Sequence, residues 1–492
     1  MIDHPSTTAE PALRGVETSD HNPDLCGPEG EVFVADTLAL AGKQAHPLIA
    51  GTKVNLITFG CQMNKYDSAM VAGLLNEKGA GFVESDAEAD LLIINTCSVR
   101  GQAEERVYSR LGMLRERKRD NPGFLIAVMG CMAQKEGEQI KRRFPFVDLI
   151  VGTRMLSAFP QLLERVREGA PTPLMAIDEK PEVNFGETIA RRATPFQAFL
   201  TITRGCNKRC TYCVVPYTRG PELSRPILDI KAEAERLAAD GVKEITLLGQ
   251  TVDTYGHDLK DGSSLSKLLQ TLHGLKGLER IRFITSHPEE CREDLWRVMA
   301  DLGDKVMPFI HMPAQSGSDR MLKRMARGYT RARYLEVVAQ ARRHCPEIEI
   351  ASDWIVGFSG ETNEDFALSL SLLKEVRFQI SYLFKYSVRE GTPAQRLPDD
   401  VPEEVKHERH KLLKEAQEHV SLAKNQARIG HIEQVLVEGS SKHRAERLTG
   451  RSRSHQLIHF PGTPDWAGRL MDVKITSATH LSLNGEALNP VI

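Results

Sequence analysis

Two series of short apolar runs, separated by segments of helical period, limit the possible folds of this chain more than any other feature of its sequence. The runs of the first series fall at residues 54–59, 91–94, 124–129 and 149–151. Strands that alternate with helices at this spacing are typical of a parallel sheet wrapped by helices. The sequence therefore predicts an α/β protein whose N-terminal parallel-sheet domain covers residues 51–168.

The second series predicts six further strands, at 198–203, 244–248, 282–285, 307–311, 347–356 and 380–386. Six consecutive β–α units fit a partial barrel, because a complete barrel of this kind has eight. We therefore expect a central partial (β/α)6 barrel over 190–425. Beyond it, three short alternating strands, at 433–437, 456–459 and 469–475, with Gly and Ser turns, predict a small C-terminal antiparallel β-barrel over 426–490.

Charge and cysteine content exclude several classes of protein. Lys and Arg number 64 against 66 acidic residues, so any nucleic-acid surface must be a local patch. Residues 1–50 carry eight acids and two bases, which predicts a flexible acidic leader and not an Arg-rich transit peptide. No apolar run is long enough for a membrane span. Nine cysteines, an odd number, argue against a secreted disulfide framework and favour the cytoplasm.

Three closely spaced cysteines form the strongest chemical signal in the sequence. Cys206, Cys210 and Cys213 follow the first strand of the six-strand series, where barrel enzymes place their active sites. An iron–sulfur cubane takes four thiolates, so three would leave one iron open to a small molecule. The alternative is a zinc site that a distant histidine completes.

A second set of three cysteines lies on separate elements of the first domain. Cys61, Cys97 and Cys131 each follow the C-terminal end of a predicted parallel strand. Loops at that edge of an open sheet converge on the ligand site, so we expect the three thiols to meet there. The alternative is three unrelated buried thiols, a common state for cysteine. Cys26, Cys291 and Cys345 lack such a context.

The Cys-x3-Cys-x2-Cys motif resembles the radical S-adenosylmethionine (SAM) superfamily. The three upstream cysteines and the small C-terminal β-domain are similar to its methylthiotransferase family, in particular to the branch that acts on tRNA. Four further motifs carry this resemblance: Cys213–Gly220, His311–Gly317, Arg327–Thr330 and Ile355–Thr362. Thr251 and Asp253 stand where the family usually has Asn, and Ser359 replaces a usual Pro.

The resemblance implies two [4Fe-4S] clusters with different tasks. Cys206, Cys210 and Cys213 would hold the cluster that binds and cleaves SAM. Cys61, Cys97 and Cys131 would hold an auxiliary cluster that supplies the inserted sulfur. Two SAM molecules would be used, one as methyl donor and one as radical source. The implied product carries a methylthio group at C2 of N6-isopentenyladenosine, next to the anticodon.

Seven residues at or near predicted strand ends are nominated for SAM binding, and no residue is assigned as catalytic. The alternative for each is ordinary loop structure, such as a tight turn or a helix cap. The nominated residues are Tyr212, Gln250, Gln315, Ser352, Asp353, Gly357 and Glu361.

RNA binding is expected at the C-terminal domain, which resembles the TRAM domain. Residues 442–453 carry five bases against one acid, Glu446. A second cluster, over 319–343, has eight bases against two acids, and a solvated helix face explains it equally well. Phosphate contacts require such local clusters when the whole chain is nearly neutral.

Two other functions remain open at this point. One is a methylthiotransferase that acts on an aspartate of a ribosomal protein, and the other is a non-catalytic, metal-stabilised RNA-binding protein. The expected partners are tRNA that carries N6-isopentenyladenosine and a low-potential electron donor such as flavodoxin or ferredoxin. We expect a monomer with no membrane contact.

Overall fold

The computed structural model describes residues 31–32, 46–98, 101–177, 194–441 and 446–488, with only the backbone at 31–32 and 101–103. Most of the predicted leader over 1–50 lies outside the described residues, as do Lys442 and Arg444 of the first basic cluster. Within the described part of the chain, no helix is both long and apolar enough to cross a membrane.

A sheet with helices on both faces forms the first domain. Its strands are β1 (Glu31–Val32), β2 (Lys53–Phe59), β3 (Gly81–Phe82), β4 (Leu91–Thr96), β5 (Leu125–Gly130), β6 (Leu149–Val151) and β7 (Leu174–Ala176). Its helices are α1 (Gln62–Glu77), α2 (Gly101–Asp120), α3 (Cys131–Arg143) and α4 (Phe159–Arg167). The order β1-β2-β4-β5-β6-β7, with β3 beside β2, is parallel except at β1.

Two separate hydrophobic clusters cover the two faces of this sheet. One packs α1 and α4 against it, and the other packs α2 and α3. Every residue of β4 is buried, as expected for a central strand that helices cover on both sides. The predicted parallel-sheet domain is thus confirmed. Its sheet continues past residue 168, because β7 pairs with β6.

The central domain is the predicted partial barrel. Its six strands are β8 (Gln197–Thr201), β11 (Glu244–Leu248), β12 (Arg280–Phe283), β13 (Phe309–His311), β14 (Glu349–Val356) and β15 (Ile380–Lys385). They form two parallel three-stranded sheets, β8-β11-β12 and β13-β14-β15, which a parallel bridge between Ile281 and Val306 joins. Between β8 and β11 the chain also forms a short antiparallel pair, β9 (Thr203–Arg204) with β10 (Leu223–Ser224).

Helices surround these strands and bury one continuous hydrophobic core against them. They are α5 (Val215–Arg219), α6 (Ile227–Ala239), α7 (Leu265–His273), α8 (Glu293–Asp301), α9 (Asp319–Arg324), α10 (Arg331–His344), α11 (Asn363–Val376) and α12 (Glu403–Gln426). The one-turn helix α5 directly follows the three-cysteine motif and lies beside α3 of the first domain.

The C-terminal domain is a closed barrel of five strands, as the strand pattern predicts. The strands are β16 (Ile432–Ser440), β17 (Arg447–Ser452), β18 (Leu457–Pro461), β19 (Leu470–Ala478) and β20 (Leu483–Ala487). Their order is β16-β17-β18-β20-β19, and all pairs are antiparallel except β18 with β20. Its inward-facing side chains, such as Val435 and Phe460, form a separate core.

Two buried arginines attach this small barrel to the central one. Arg280, the first residue of β12, donates hydrogen bonds to the carbonyls of Arg451 (2.9 Å) and Gln434 (2.8 Å). Arg282 donates to the carbonyl of Ser452 (2.7 Å), and its Nε pairs with the Glu244 carboxylate at 3.0 Å. These contacts come from β12, which begins at Arg280, so the small barrel lies towards the amino end of the strands, opposite the three-cysteine motif.

We predict that Arg282→Met destabilises the chain by about 3–5 kcal/mol, because it breaks a buried pair and leaves the charge of Glu244 poorly compensated. Urea unfolding measures this loss. Arg297→Met, which removes an exposed arginine from α8, is the matched control and should cost less than about 0.5 kcal/mol. Equal losses for the two variants would show that the Arg282 contacts add nothing to the joint.

Candidate functional site

The first cysteine set lies at one edge of the N-terminal sheet. Cys61 follows β2 and caps α1, Cys97 follows β4, and Cys131 begins α3 directly after β5. These strands are neighbours and parallel, so their carboxyl ends meet. Cys61 and Cys97 share a thiol hydrogen bond, which lowers the pKa of Cys61 to about 6 in spite of its burial. The structure therefore brings the cysteines to one edge, which we call the amino trio.

Backbone shape at this edge requires glycine. Gly60 has φ +151°, and a Cβ there would lie 2.9 Å from Cβ of Cys97. Gly130 has φ +96°, and a Cβ there would lie 2.2 Å from Oδ1 of Asn95. Asn64 Nδ2 donates to that same Oδ1 at 3.1 Å. A side chain at either glycine would push the strand ends apart and separate the thiols.

Arg219 enters the amino trio from the barrel domain. Its Nη2 is 2.7 Å from Oδ2 of Asp67, and the side chains are only 5% and 1% exposed. The guanidinium also hydrogen-bonds the Cys131 thiol. Burial raises the pKa of Cys131, and the charge of Arg219 opposes that rise. Arg219 lies within the Cys213–Gly220 motif, but the sequence alone indicated no role for it.

The second cysteine set, the barrel trio, occupies the loop between β9 and α5. Cys206 N donates to the carbonyl of Gly220 at 3.0 Å, and Cys213 N donates to that of Cys210 at 3.1 Å. Burial raises the pKa of Cys213 to about 12, and the charge of Cys210 adds to the rise. Cys206 Sγ lies 3.7 Å from Oγ1 of Thr251, just past the end of β11. The loop thus holds the barrel trio at the carboxyl end of the barrel strands.

A buried arginine also contacts the barrel trio. Arg327 is 6% exposed, and its Nη1 donates to Sγ of Cys210 at 3.2 Å. Its other donors reach the hydroxyl of Tyr329 and the carbonyl of Pro313, at 3.2 and 3.3 Å. Among the described residues it forms no ion pair with a carboxylate. A buried guanidinium without a counter-charge is costly, so this environment fits an anionic group held by the thiolates.

The two trios face one another across the domain junction. Met63 and Tyr66, from the first turns of α1, pack against Leu248 at the end of β11. Thr153 Oγ1 donates to the carbonyl of Thr218 in α5 at 2.5 Å. The edge that carries the amino trio therefore lies against the mouth of the barrel.

The donor set of each trio fits a cluster of several irons. Thiolates that hold a [4Fe-4S] cubane bind separate iron atoms, so they need not converge on one point. In the described ranges, no three histidine, cysteine or acidic side chains are grouped to hold a single metal ion. Three thiolates beside a buried cation, as at Cys210 and Arg327, match the charge of such a cluster.

Three of the residues nominated for SAM have buried oxygen atoms with no partner in the described chain. These are Oε1 of Gln250, after β11, Oε1 of Gln315, after β13, and Oε1 of Glu361, after β14. Gln315 has φ +63° and bridges to Trp354 through its backbone, so its position is fixed. Because buried polar atoms normally have partners, the two amides are ready to bind a polar ligand.

Other nominated residues contact the protein itself. Ser352 Oγ accepts from the N–H of Ala314 at 2.9 Å, and Asp353 Oδ1 pairs with Nε2 of His311 at 2.8 Å. The Tyr212 hydroxyl accepts a hydrogen bond from Arg327 at 3.4 Å. These contacts order the mouth of the barrel around the barrel trio.

Gly357 and Glu361 close the loop after β14. Oε2 of Glu361 accepts from the N–H of Gly357 at 2.7 Å and from Nη1 of Arg409 at 2.8 Å. Gly357 has φ +71°, and a Cβ there would lie 2.3 Å from Cγ of Lys406. These contacts tie the loop to α12, and the SAM contact nominated for Gly357 and Glu361 stays a prediction.

The described arginines of the basic cluster over 442–453 all contact other parts of the chain, and the RNA contact expected there stays a prediction. Arg451 is 7% exposed and pairs with Glu438 at 3.4 Å. Arg453 donates to the carbonyl of Asp304 at 3.2 Å in the joint with the central barrel. Arg447 donates to the carbonyl of His459 at 3.0 Å.

Most bases of the second cluster, over 319–343, are also engaged. Arg331 pairs with Glu375 at 2.7 Å, and Arg333 pairs with Glu336 at 2.9 Å. Arg327 is buried beside the barrel trio. Ion pairs therefore neutralise only part of this cluster.

Asp253, which stands where the family usually has Asn, is half-buried beside the barrel mouth. Its Oδ1 accepts from the hydroxyl of Ser286 at 3.1 Å, and its Oδ2 accepts from the N–H of His287 at 2.7 Å. Burial raises the pKa of Asp253 to about 7, and the nearby charge of Glu290 adds to the rise. The folded chain therefore favours the neutral carboxyl.

We predict that Asp253→Asn stabilises the chain at pH 8 and has a much smaller effect at pH 5. The unfolded carboxyl ionises near pH 4, so the wild type loses stability as the pH rises from about 4 to about 7. A pKa difference of one corresponds to about 1.4 kcal/mol, so the gain at pH 8 is a few kcal/mol. Urea unfolding at both pH values checks this, and an equal effect at pH 5 and pH 8 would contradict it.

Three family models match the chain, one for each domain. Residues 53–152 match the uncharacterized protein family UPF0004, residues 200–373 match the radical SAM superfamily, and residues 426–488 match the TRAM domain.

Curated relatives are similar over nearly their whole length. A tRNA-2-methylthio-N(6)-dimethylallyladenosine synthase of Clostridium botulinum strain Hall is 45% identical over 433 residues, which are 88% of this chain and 96% of that protein. The synthase of Moorella thermoacetica is 45% identical over 436 residues, or 88% and 98% of the two chains. That of Actinobacillus succinogenes is 43% identical over 441 residues, or 89% and 92%.

Among solved structures, the radical S-adenosylmethionine methyltransferase TsrM from Kitasatospora setae has a similar fold. Its form with cobalamin and a [4Fe-4S] cluster bound superposes with a TM-score of 0.52 at 14% identity, over 70% of this chain and 77% of that chain. Its form with tryptophan and a SAM analogue bound gives 0.50 at 15% identity, over 65% and 70%. At these identities the likeness concerns the fold alone.

Proposed function

Because the chain belongs to the tRNA-2-methylthio-N(6)-dimethylallyladenosine synthase family of radical SAM enzymes, we propose that it adds a methylthio group to C2 of N6-isopentenyladenosine next to the anticodon of tRNA. The observation that carries this proposal is the pair of cysteine trios at facing edges of two parallel-strand domains. A single trio would serve radical formation alone, whereas insertion of sulfur needs a second site.

We assign one [4Fe-4S] cluster to each trio. Cys206, Cys210 and Cys213 hold the cluster that binds SAM, and Cys61, Cys97 and Cys131 hold the auxiliary cluster. When bound, the first supplies the electron that cleaves SAM to methionine and a 5′-deoxyadenosyl radical, and the second supplies the sulfur. Charge supports the assignment, because Arg327 and Arg219 each bring a buried cation to one trio.

The chain's own residues bind SAM and exclude water. Gln250 and Gln315 direct their unpartnered amide oxygens to the polar groups of SAM. Ser352 and Asp353 hold the loop that presents Gln315, since Gln315 N donates to the carbonyl of Asp353 at 2.8 Å. Tyr212 orients Arg327. The packing of α1 against β11 closes the junction between the domains.

The enzyme works in the cytoplasm as a monomer and receives electrons from a low-potential donor such as flavodoxin or ferredoxin. The described cysteines support a reducing compartment, because all eight are free thiols. tRNA as the partner is supported by the names of the relatives and by the TRAM domain.

Mass spectrometry of tRNA nucleosides tests the function. Cells that lack this protein should lose 2-methylthio-N6-isopentenyladenosine and accumulate N6-isopentenyladenosine, and the wild-type gene should restore the methylthio form. Cys345→Ala, outside both trios, is the matched control and should restore it as well. If the nucleosides stay unchanged while a ribosomal-protein aspartate loses its methylthio group, the chain acts on protein instead.

A further inference from the structure

One loop connects the two cysteine trios. It begins at Cys213, runs through α5 and ends at Gly220, whose carbonyl accepts from the N–H of Cys206 at 3.0 Å. The same loop contacts the N-terminal domain, since the carbonyl of Thr218 accepts from Oγ1 of Thr153. The loop therefore links the barrel trio to the domain that carries the amino trio.

Arg219, at the end of α5, places a positive charge at the amino trio. Its only ion pair among the described residues is with Oδ2 of Asp67, and Oδ1 of Asp67 has no partner there. Only one of the two carboxylate oxygens of Asp67 is thus paired with Arg219. The guanidinium also hydrogen-bonds the thiol of Cys131.

Stability alone does not account for this charge. A buried ion pair roughly balances its desolvation cost, and apolar residues of similar volume often serve as well. A cation and N–H donors beside cluster sulfurs, in contrast, stabilise the reduced and more negative state of an iron–sulfur cluster. Asp67 opposes this effect because it carries the counter-charge.

We propose that Arg219 is a positioning residue that raises the reduction potential of the cluster at the amino trio and, through its loop, fixes that cluster relative to the SAM site. The inference rests on the proposed function, because it requires a cluster at Cys61, Cys97 and Cys131. The negative charge of Asp67 limits how far Arg219 raises the reduction potential.

The test measures the midpoint potential of this cluster by EPR-monitored redox titration. The full-length parent chain carries alanine at Cys206, Cys210 and Cys213, so that only the auxiliary signal remains. Arg219→Gln should shift the potential to a more negative value and Asp67→Asn to a more positive one. Arg219→Lys keeps the charge without the planar donor fork, so it should shift less than Arg219→Gln.

Arg236→Gln removes the same charge from an exposed position on α6 and should leave the potential unchanged. A purely structural role predicts shifts of the same sign, or none, for Arg219→Gln and Asp67→Asn, and either result overturns the inference. If the Arg219→Gln variant does not retain iron, the test rests on the other two variants. Asp67→Asn should shift the potential to a more positive value, and Arg219→Lys should shift it to a more negative one. A parent chain without any cluster would instead overturn the proposed function.

Discussion

Cys97→Ala will abolish methylthio transfer to tRNA and leave SAM cleavage intact. Cys97 lies at the amino trio, 2% exposed and hydrogen-bonded to Cys61, so under the proposed assignment its loss removes a ligand of the auxiliary cluster. The barrel trio lies on a different domain and keeps all its thiolates. One anaerobic reaction that quantifies 5′-deoxyadenosine and the methylthiolated nucleoside together checks both halves of the prediction.

The complementary variants should lose both products. Replacing Cys206, Cys210 or Cys213 with alanine should stop formation of 5′-deoxyadenosine, because SAM then lacks its binding iron. Cys345→Ala removes a core thiol whose hydrogen bond goes to the carbonyl of Trp296, outside both trios, and it should retain both products. If Cys97→Ala makes methylthiolated tRNA at the normal rate, the amino trio is not a cluster site.

Arg327→Met should have opposite effects on the metal-free and the cluster-loaded protein. Without a cluster, the variant no longer buries a cation that lacks a carboxylate partner, so the free energy of unfolding should rise by several kcal/mol. With a cluster, loss of the hydrogen bond to Cys210 and of the compensating charge should weaken cluster retention. Formation of 5′-deoxyadenosine should fall at least about tenfold, the effect of losing a contact that supports a cofactor ligand.

Urea unfolding of the apoprotein and iron analysis after gel filtration measure the two effects. Arg343→Met, which removes an exposed charge from α10, is the matched control and should change neither. Arg327→Lys keeps the charge and should retain more iron than Arg327→Met. A lower stability of Arg327→Met apoprotein would show that packing of the side chain, and not its charge, dominates at this position.

The fold was predictable where the burial of a strand requires a continuous run of apolar residues. Strands such as β4 are covered on both faces, so they read as apolar runs, and the barrel strands follow the same rule. In the C-terminal domain, three strands were predicted, whereas β17 and β20 were not. β17 contains Arg-Leu-Thr-Gly-Arg-Ser and has no continuous apolar run, because its stability comes from pairing with β16 and β18.

The chemistry of the site was predictable where residue type and spacing carry it. Cys61, Cys97 and Cys131 follow strand ends, and Cys206, Cys210 and Cys213 share one loop after a strand, positions that the sequence reveals. Arg327 and Arg451, in contrast, were counted within basic surface clusters, because an arginine in a sequence does not indicate whether it is buried. Their roles depend on contacts with Cys210 and Glu438, more than ten residues away, which only the fold brings together.

Iron analysis of anaerobically reconstituted protein tests the central claim, that the chain holds two separate clusters, most directly. The wild type should bind about eight irons with matching sulfide, four for each cubane. Triple alanine replacement of Cys61, Cys97 and Cys131 should leave about four irons, and so should triple replacement of Cys206, Cys210 and Cys213. The claim is contradicted if either triple variant still binds about eight irons, or if the wild type holds stoichiometric zinc without labile sulfide.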